Sequence, residues 1–244
     1  MRVRAVVAYD GTRYHGFQRQ SPDREPTIQG EIERALKHIA GQPVGVSGAG
    51  RTDAGVHAGG QVIAFDIEWN HSPADLQRAL NATLPSDIVV LDEAEAAADF
   101  HPRYQARSRE YRYTIYNSIQ RHPLHRLYAL HVSQPLDVEA MRSAAHYLVG
   151  ELDFATFGQP TVGESTIRRM YRAEVNADLP WITIHLEANG FLYRMVRSIA
   201  GTLIEVGRGR ISVEQFAEIL KSRDRSQAEA TVAPHGLCLT RVTY

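Results

Sequence analysis

Residues 47–60 (Ser47-Gly48-Ala49-Gly50-Arg51-Thr52-Asp53-Ala54-Gly55-Val56-His57-Ala58-Gly59-Gly60) suit neither a helix nor a core. Five glycines and three alanines leave little side chain to bury, and glycine backbones reach angles closed to other residues. The stretch is much longer than a hairpin needs and runs straight into Val62-Ile63-Ala64-Phe65, an apolar strand signature. A chain built this way must present a long small-residue loop that another molecule can approach closely. Arg51 and Asp53 are its only residues of fixed charge. A carboxylate beside a guanidinium stays ionised at neutral pH, and once positioned it can act as a nucleophile or a general base. The alternative is an elaborate turn with a surface ion pair. The loop's length and the buried-looking strand behind it favour chemistry, which sits on loops fixed by such scaffolds.

A phosphate loop is the sharpest competitor, because Gly45-Val46-Ser47-Gly48-Ala49-Gly50-Arg51-Thr52 nearly spells G-x-x-x-x-G-K-[ST], with arginine in place of lysine. Val62-Ile63-Ala64-Phe65-Asp66 could even pass for the metal-binding strand of an NTPase. A phosphate loop has to open a helix whose N-terminus faces the phosphates. Here Gly55, Gly59 and Gly60 follow, and the next strand begins before a helix fits. Nucleotide hydrolysis is rejected on that context.

The 244 residues suffice for one large or two modest domains. No apolar run approaches a membrane span, and strand-like Val3-Arg4-Ala5-Val6-Val7-Ala8-Tyr9 begins the chain without a signal-like segment. A cytoplasmic protein without membrane association is expected. The single cysteine, Cys238, excludes an internal disulfide and agrees with a reducing compartment. Charge is unevenly spread: nine Lys/Arg face fourteen Asp/Glu in residues 1–100, and eighteen face fourteen in residues 101–244. The densest basic stretch holds Arg103, Arg107, Arg109, Arg112, Arg121 and Arg126 against Glu110 alone. Arginine suits bidentate phosphate contacts and stacking on bases.

Patterning divides the chain into two halves of similar grammar. In the first, a strand is followed by a polar, aromatic loop (residues 10–20) and by a helix that Thr27 caps and Gly41 ends. A strand over 60–67, a helix opened by Ser72, Pro73 and Asp75, and a strand over 88–91 follow. The acidic, alanine-rich residues 92–99 read as a linker. The second half has an alternating strand over 109–116, a helix from Asp137 to Gly150 and a hairpin of strands 167–176 and 181–188. It ends with a helix over 191–206 that turns Met195, Ile199 and Leu203 inward, a short helix over 213–220 and a last strand over 237–242. The expected architecture is α+β: subdomains 1–100 and 101–244, with sheets that join and a cleft between them.

The loop Gly50-Arg51-Thr52-Asp53-Ala54-Gly55-Val56-His57-Ala58 resembles the active-site loop of the tRNA pseudouridine synthase A family. The resemblance continues, in the family's order, through Tyr9-Asp10-Gly11-Thr12, Gly16-Phe17-Gln18, Phe100-His101-Pro102-Arg103, Tyr111-Arg112-Tyr113, Met195-Val196-Arg197 and Ala233-Pro234-His235-Gly236-Leu237. Phe17 stands where many relatives have tryptophan. The resemblance implies two ferredoxin-like halves in one mainly antiparallel sheet, with helices on one side, and a homodimer that binds the tRNA anticodon arm. It implies conversion of uridine to pseudouridine at positions 38 to 40, with no cofactor, metal or energy source. Carried over by residue, Asp53 is the catalytic carboxylate, Tyr111 stacks on the target base, Arg197 pairs with Asp53, and Arg51 helps displace the base and hold the backbone.

The residue types fit that chemistry. Isomerisation detaches the base at N1, turns it and rejoins it through C5, so nothing is oxidised or phosphorylated. One carboxylate can start this at the sugar C1′, at the base C6 or at the 2′ proton, and the sequence leaves all three open. Unstacking the uridine costs a few kcal/mol; an aromatic face returns about 1–3 kcal/mol per stacked base. By period alone Tyr111 also reads as a core residue. Arg197 lies at the border of an apolar helix face, and a buried arginine demands a carboxylate partner. His57 reads as a hydrogen-bonding loop residue. His122 and His125 have metal-ligand spacing, but no cysteine or second acid completes a site, and one cysteine cannot supply a zinc deaminase signature. The rival function is a non-catalytic RNA-binding module of the same fold. A lone carboxylate where phosphates approach argues against it, because pure binding would be penalised by the repulsion.

Overall fold

Strict alternation builds the first strand, β1 (Arg2–Tyr9): Val3, Ala5, Val7 and Tyr9 are buried and the residues between them are half-exposed. A strand with one buried face reads this way because side chains alternate across it. The computed structural model to which β1 belongs describes residues 1–160, 163, 165–229 and 231–244. The chain forms two units, residues 1–107 with 238–244, and residues 108–237.

In the first unit, β1 leads to α1 (Ile28–Ala40), β2 (Val46–Gly48), β3 (His57–Asp66), α2 (Pro73–Thr83) and β4 (Ile88–Glu95). The sheet order is β4-β1-β3, with β2 on the other edge of β3, and every one of these pairs is antiparallel. That is the ferredoxin-like βαββαβ arrangement. Helix ends follow the sequence signals. The Thr27 hydroxyl accepts the Gly30 N–H and Gly41 closes α1 at φ 71°, while Ser72 and Asp75 form a reciprocal capping box on α2. Ile28, Ile32 and Leu36 of α1, and Leu76 and Leu80 of α2, are fully buried. Burial of each such side chain contributes about 1.5–3 kcal/mol.

The second unit contains β5 (Ser108–Asn117), β6 (Leu130–Val132), α3 (Val138–His146), β7 (Gly150–Asp153), β8 (Ile167–Asp178), β9 (Trp181–Ala188), α4 (Met195–Gly207) and α5 (Val213–Ser222). Strands β5, β9, β8 and β7 pair in that order, all antiparallel, and β6 lies parallel to β5. In chain order β5, α3, β8, β9, α4 and the last strand, β10 (Leu237–Thr243), repeat the β-α-β-β-α-β grammar. Tyr113, Ile115, Ile184, Met195, Ile199 and Leu203 are fully buried, and Phe157 packs on Phe216 with ring centroids 5.9 Å apart. Both units are α+β and mainly antiparallel. None of the described helices is long and apolar enough to cross a membrane.

Three readings of the sequence need correction. Residues 92–95 are not linker but the second half of β4, paired with β1 from Val6↔Asp92 to Val3↔Glu95. They lie at the edge of the sheet, where the exposed charges of Asp92 and Glu95 block further pairing, while burial raises the Glu93 carboxyl above its usual range. Strand β3 starts at His57, three residues earlier than the apolar run suggests, because ladder hydrogen bonds need no large side chains. Helix α4 starts at Met195 rather than at Phe191: Arg194 has φ 60°, a left-handed angle that ends any helix, and Tyr193 bridges to Gln159 instead. The final strand also departs from a simple division near residue 100. It pairs parallel to β3 at Cys238↔His57 and Leu239↔Ala58, within the first unit.

The cap of α1 gives a direct stability test. In Thr27→Ala the Gly30 N–H loses its acceptor, now 3.2 Å away, so urea denaturation should show a loss of about 1 kcal/mol with an unchanged m value.

Candidate active site

Of the small-residue stretch, residues 49–56 form the loop, while 47–48 end β2 and 57–60 open β3, and hydrogen bonds pin the loop at several points. Entering from β2, Ala49 donates its N–H to the Val62 carbonyl at 2.8 Å, and the buried Gln61 side chain donates to the Gly50 carbonyl at 2.8 Å. Thr52 is buried, with its hydroxyl 2.8 Å from the Tyr9 hydroxyl. The Val56 N–H donates back to the Asp53 carbonyl at 3.1 Å, closing a four-residue turn in which Gly55 has φ 76°. A positive φ at the third position is what a type II turn requires, and only glycine adopts it without strain. Asp53 is therefore the first residue of a closed turn, and its side chain is half-buried. Arg51 and Ala54 on either side are exposed.

Residues 11–17 hold this turn from beneath. Phe17 donates its N–H to the Thr52 carbonyl at 3.0 Å, and Gly55 donates its own to the Tyr14 carbonyl at 3.3 Å. Gly16 has φ 97°, and a Cβ there would lie 2.7 Å from the Thr52 carbonyl oxygen. Two backbones meet at this point with no room for a side chain between them. His57 is buried, and its Nδ1 accepts the Gly11 N–H at 3.0 Å, which is the hydrogen-bonding role read from the sequence. The sequence reading missed that residues 9–17 are the floor of the Asp53 turn. The signal was the pair of glycines, 11 and 16, in a short polar and aromatic stretch. No helix follows the loop, since β3 begins at His57, and the phosphate-loop reading fails on geometry as it did on pattern.

The other two predicted site residues belong to the second unit. Tyr111, on β5, is only 8% exposed and meets Phe191 edge-on, with centroids 5.1 Å apart and rings at 85°. Arg197, in the first turn of α4, is half-buried, and its Nε donates to the Val232 carbonyl at 2.7 Å. The same segment accepts the Tyr113 hydroxyl proton at the Ala233 carbonyl, 2.8 Å away. Burial pushes the Tyr113 phenol well above its usual range, and the nearby Arg197 charge only partly opposes this. Tyr113 therefore stays neutral and donates. The segment at Val232 and Ala233 thus holds Arg197 and Tyr113 together, a link that spacing alone did not reveal. His122 and His125 stack with centroids 4.2 Å apart. Among the described residues no group of three or more His, Cys, Asp or Glu is placed to hold a metal ion.

Against known proteins, a family model described as tRNA pseudouridine synthase matches residues 5–105 and 144–244. The chain is similar to proteins named tRNA pseudouridine synthase A over essentially their full length. It is 47% identical to the one from Brevibacillus brevis, covering 100% of this chain and 99% of that one. The Moorella thermoacetica protein is 44% identical with 99% of each chain covered, and the Geobacillus kaustophilus protein is 43% identical with 100% and 94% covered.

The floor under Asp53 predicts a separation of stability from activity. In Gly16→Ala the added Cβ must push the Thr52 carbonyl away and the backbone must keep a disfavoured φ. We expect a stability loss of about 1–3 kcal/mol and a fall in turnover that persists at temperatures where circular dichroism shows the variant fully folded.

Proposed function

The chain belongs to the tRNA pseudouridine synthase family, and from that premise we propose that it isomerises uridine to pseudouridine in the anticodon stem-loop of tRNA, at positions 38 to 40, with Asp53 as the catalytic carboxylate. The enzyme is an isomerase acting on tRNA, as its full-length relatives are named. The observation that carries the assignment of Asp53 is the pinned turn: Asp53 is half-buried, its carbonyl accepts the Val56 N–H, and its neighbours Thr52 and Gly55 are bonded to the floor residues Phe17 and Tyr14. A group held on a rigid support loses little freedom when substrate arrives, which is how positioning lowers a barrier.

The remaining roles follow from chemistry and the family resemblance. The exposed Arg51 guanidinium sits two residues from Asp53, and it is proposed to occupy the space the uridine leaves and to hold the phosphate backbone. Tyr111 is proposed as the aromatic face for the extruded base, and Arg197 as the cation that keeps Asp53 ionised as water is excluded. Ionised Asp53 attacks C1′ or C6, or removes the 2′ proton; each route breaks the N1–C1′ bond and forms a C5–C1′ bond, with the proton lost at C5 matched by one gained at N1. The reaction is balanced without oxidant or nucleotide. The protein is proposed to act as a homodimer in the cytoplasm.

Two outcomes test this reading. Asp53→Asn keeps the size of the side chain and removes the charge, so turnover should fall by at least about 10²–10⁴-fold. Affinity for tRNA should be unchanged or slightly raised, since one negative charge near phosphate is lost. Turnover near the parent's rate would remove Asp53 from the chemistry. Secondly, activity on prefolded tRNA should survive exhaustive chelation without added nucleotide; recovery only on adding Zn²⁺ or ATP would contradict the mechanism.

A further inference from the structure

We propose that Tyr104, together with His101 and Arg103, forms a stacking platform for a tRNA base other than the uridine that reacts; this rests on the function proposed above. At 76% exposure Tyr104 is the most exposed of the tyrosine, phenylalanine and tryptophan side chains among the described residues. An aromatic ring in water forgoes the burial such rings ordinarily gain. Neither fraying nor chance packing explains its position, because the turn that carries it is tied down on several sides. The Arg2 guanidinium donates to the Phe100 carbonyl at 2.9 and 3.1 Å, and the Phe100 ring packs on Tyr244 at 5.1 Å. The Tyr244 hydroxyl donates to the Pro102 carbonyl at 2.7 Å, and the Arg107 N–H to the Thr243 carbonyl at 2.8 Å.

On this rigid turn three flat groups gather. The His101 imidazole lies 4.3 Å from the Tyr104 ring at 37°, and the Arg103 guanidinium carbon is 6.0 Å from the same ring. The Arg103 N–H donates to His101 Nδ1 at 3.2 Å, which fixes the imidazole and leaves Nε2 as its N–H in the neutral form. Rings and guanidinium planes of this kind take up splayed bases in RNA recognition, and every base offers a π-face. The charge of the turn's own stretch suits a polyanion: Arg103 and Arg107 stand there with no acid among residues 100–107. Tyr111, by contrast, is buried, so the two tyrosines are suited to different bases.

The test is equilibrium binding of an unmodified tRNA transcript to the full chain, over a range of salt, alongside single-turnover rates at saturating protein. Tyr104→Ala should weaken binding by about 5- to 150-fold, the range for losing one stacked base, with the saturated rate within about twofold of the parent. Stacking releases no counterions, so the salt slope should stay the same and the whole line should shift. Tyr104→Phe and Tyr104→Trp, which keep a ring, should bind like the parent or tighter, and they preserve the test if the alanine variant folds poorly. Parent-like affinity in Tyr104→Ala, a flattened salt slope, or equal weakening by Tyr104→Phe would each overturn the platform; the first would point to a protein partner. A parent that binds tRNA yet forms no pseudouridine would strike the proposed function instead, since the binding comparison needs no turnover.

Discussion

The close backbone approach between residues 11–17 and the turn at 53–56 is the constraint on which the candidate site depends. It uses Phe17 N–H to Thr52 carbonyl and Gly55 N–H to Tyr14 carbonyl, contacts that exist only because Gly16 carries no side chain. Backbone hydrogen bonds of this kind contribute modestly to net stability, about 0.5–1.5 kcal/mol each. Their larger effect is geometric. They convert a glycine-rich loop, which would otherwise lose the most entropy on ordering, into a support that holds one carboxylate.

That support is continuous with the sheet. Strand β3, into which the loop runs, has β1 on one side, while its other side carries β2 along Ile63–Phe65 and β10 at His57 and Ala58. A strand so enclosed is buried nearly throughout, and it transmits the rigidity of the first unit's core to the first residue after the turn. In the second unit, the extended segment around Val232 and Ala233 does the corresponding work for Arg197 and Tyr113 through two side chain-to-carbonyl bonds. Each unit therefore fixes its candidate site side chains, Asp53 in the first and Arg197 in the second, by attaching irregular backbone to regular structure, the arrangement expected of sites built on loops.

Much of this was legible in the sequence where the cause is local. Thr27, Gly41, Ser72 and Asp75 mark helix ends because caps satisfy backbone groups within a few residues. Alternation in β1, β5 and β9 follows from one buried face. What was not legible depends on partners far along the chain. Asp92 and Glu93 look like linker until Val6 and Ala5 are seen beside them. Arg194 looks helical until its left-handed angle ends the turn. The parallel pairing of Leu239 with Ala58 leaves no trace in local pattern. Asp53 was visible as the lone carboxylate in a small-residue loop; its floor was not, because backbone contacts carry no side-chain signature.

The most direct test of the central claim is to map pseudouridine, nucleotide by nucleotide, in unmodified tRNA transcripts incubated with the purified protein alone. The account predicts new pseudouridine confined to positions 38 to 40 of the anticodon arm. Its absence under conditions where the tRNA is bound, or its appearance only elsewhere in the molecule, would contradict the account.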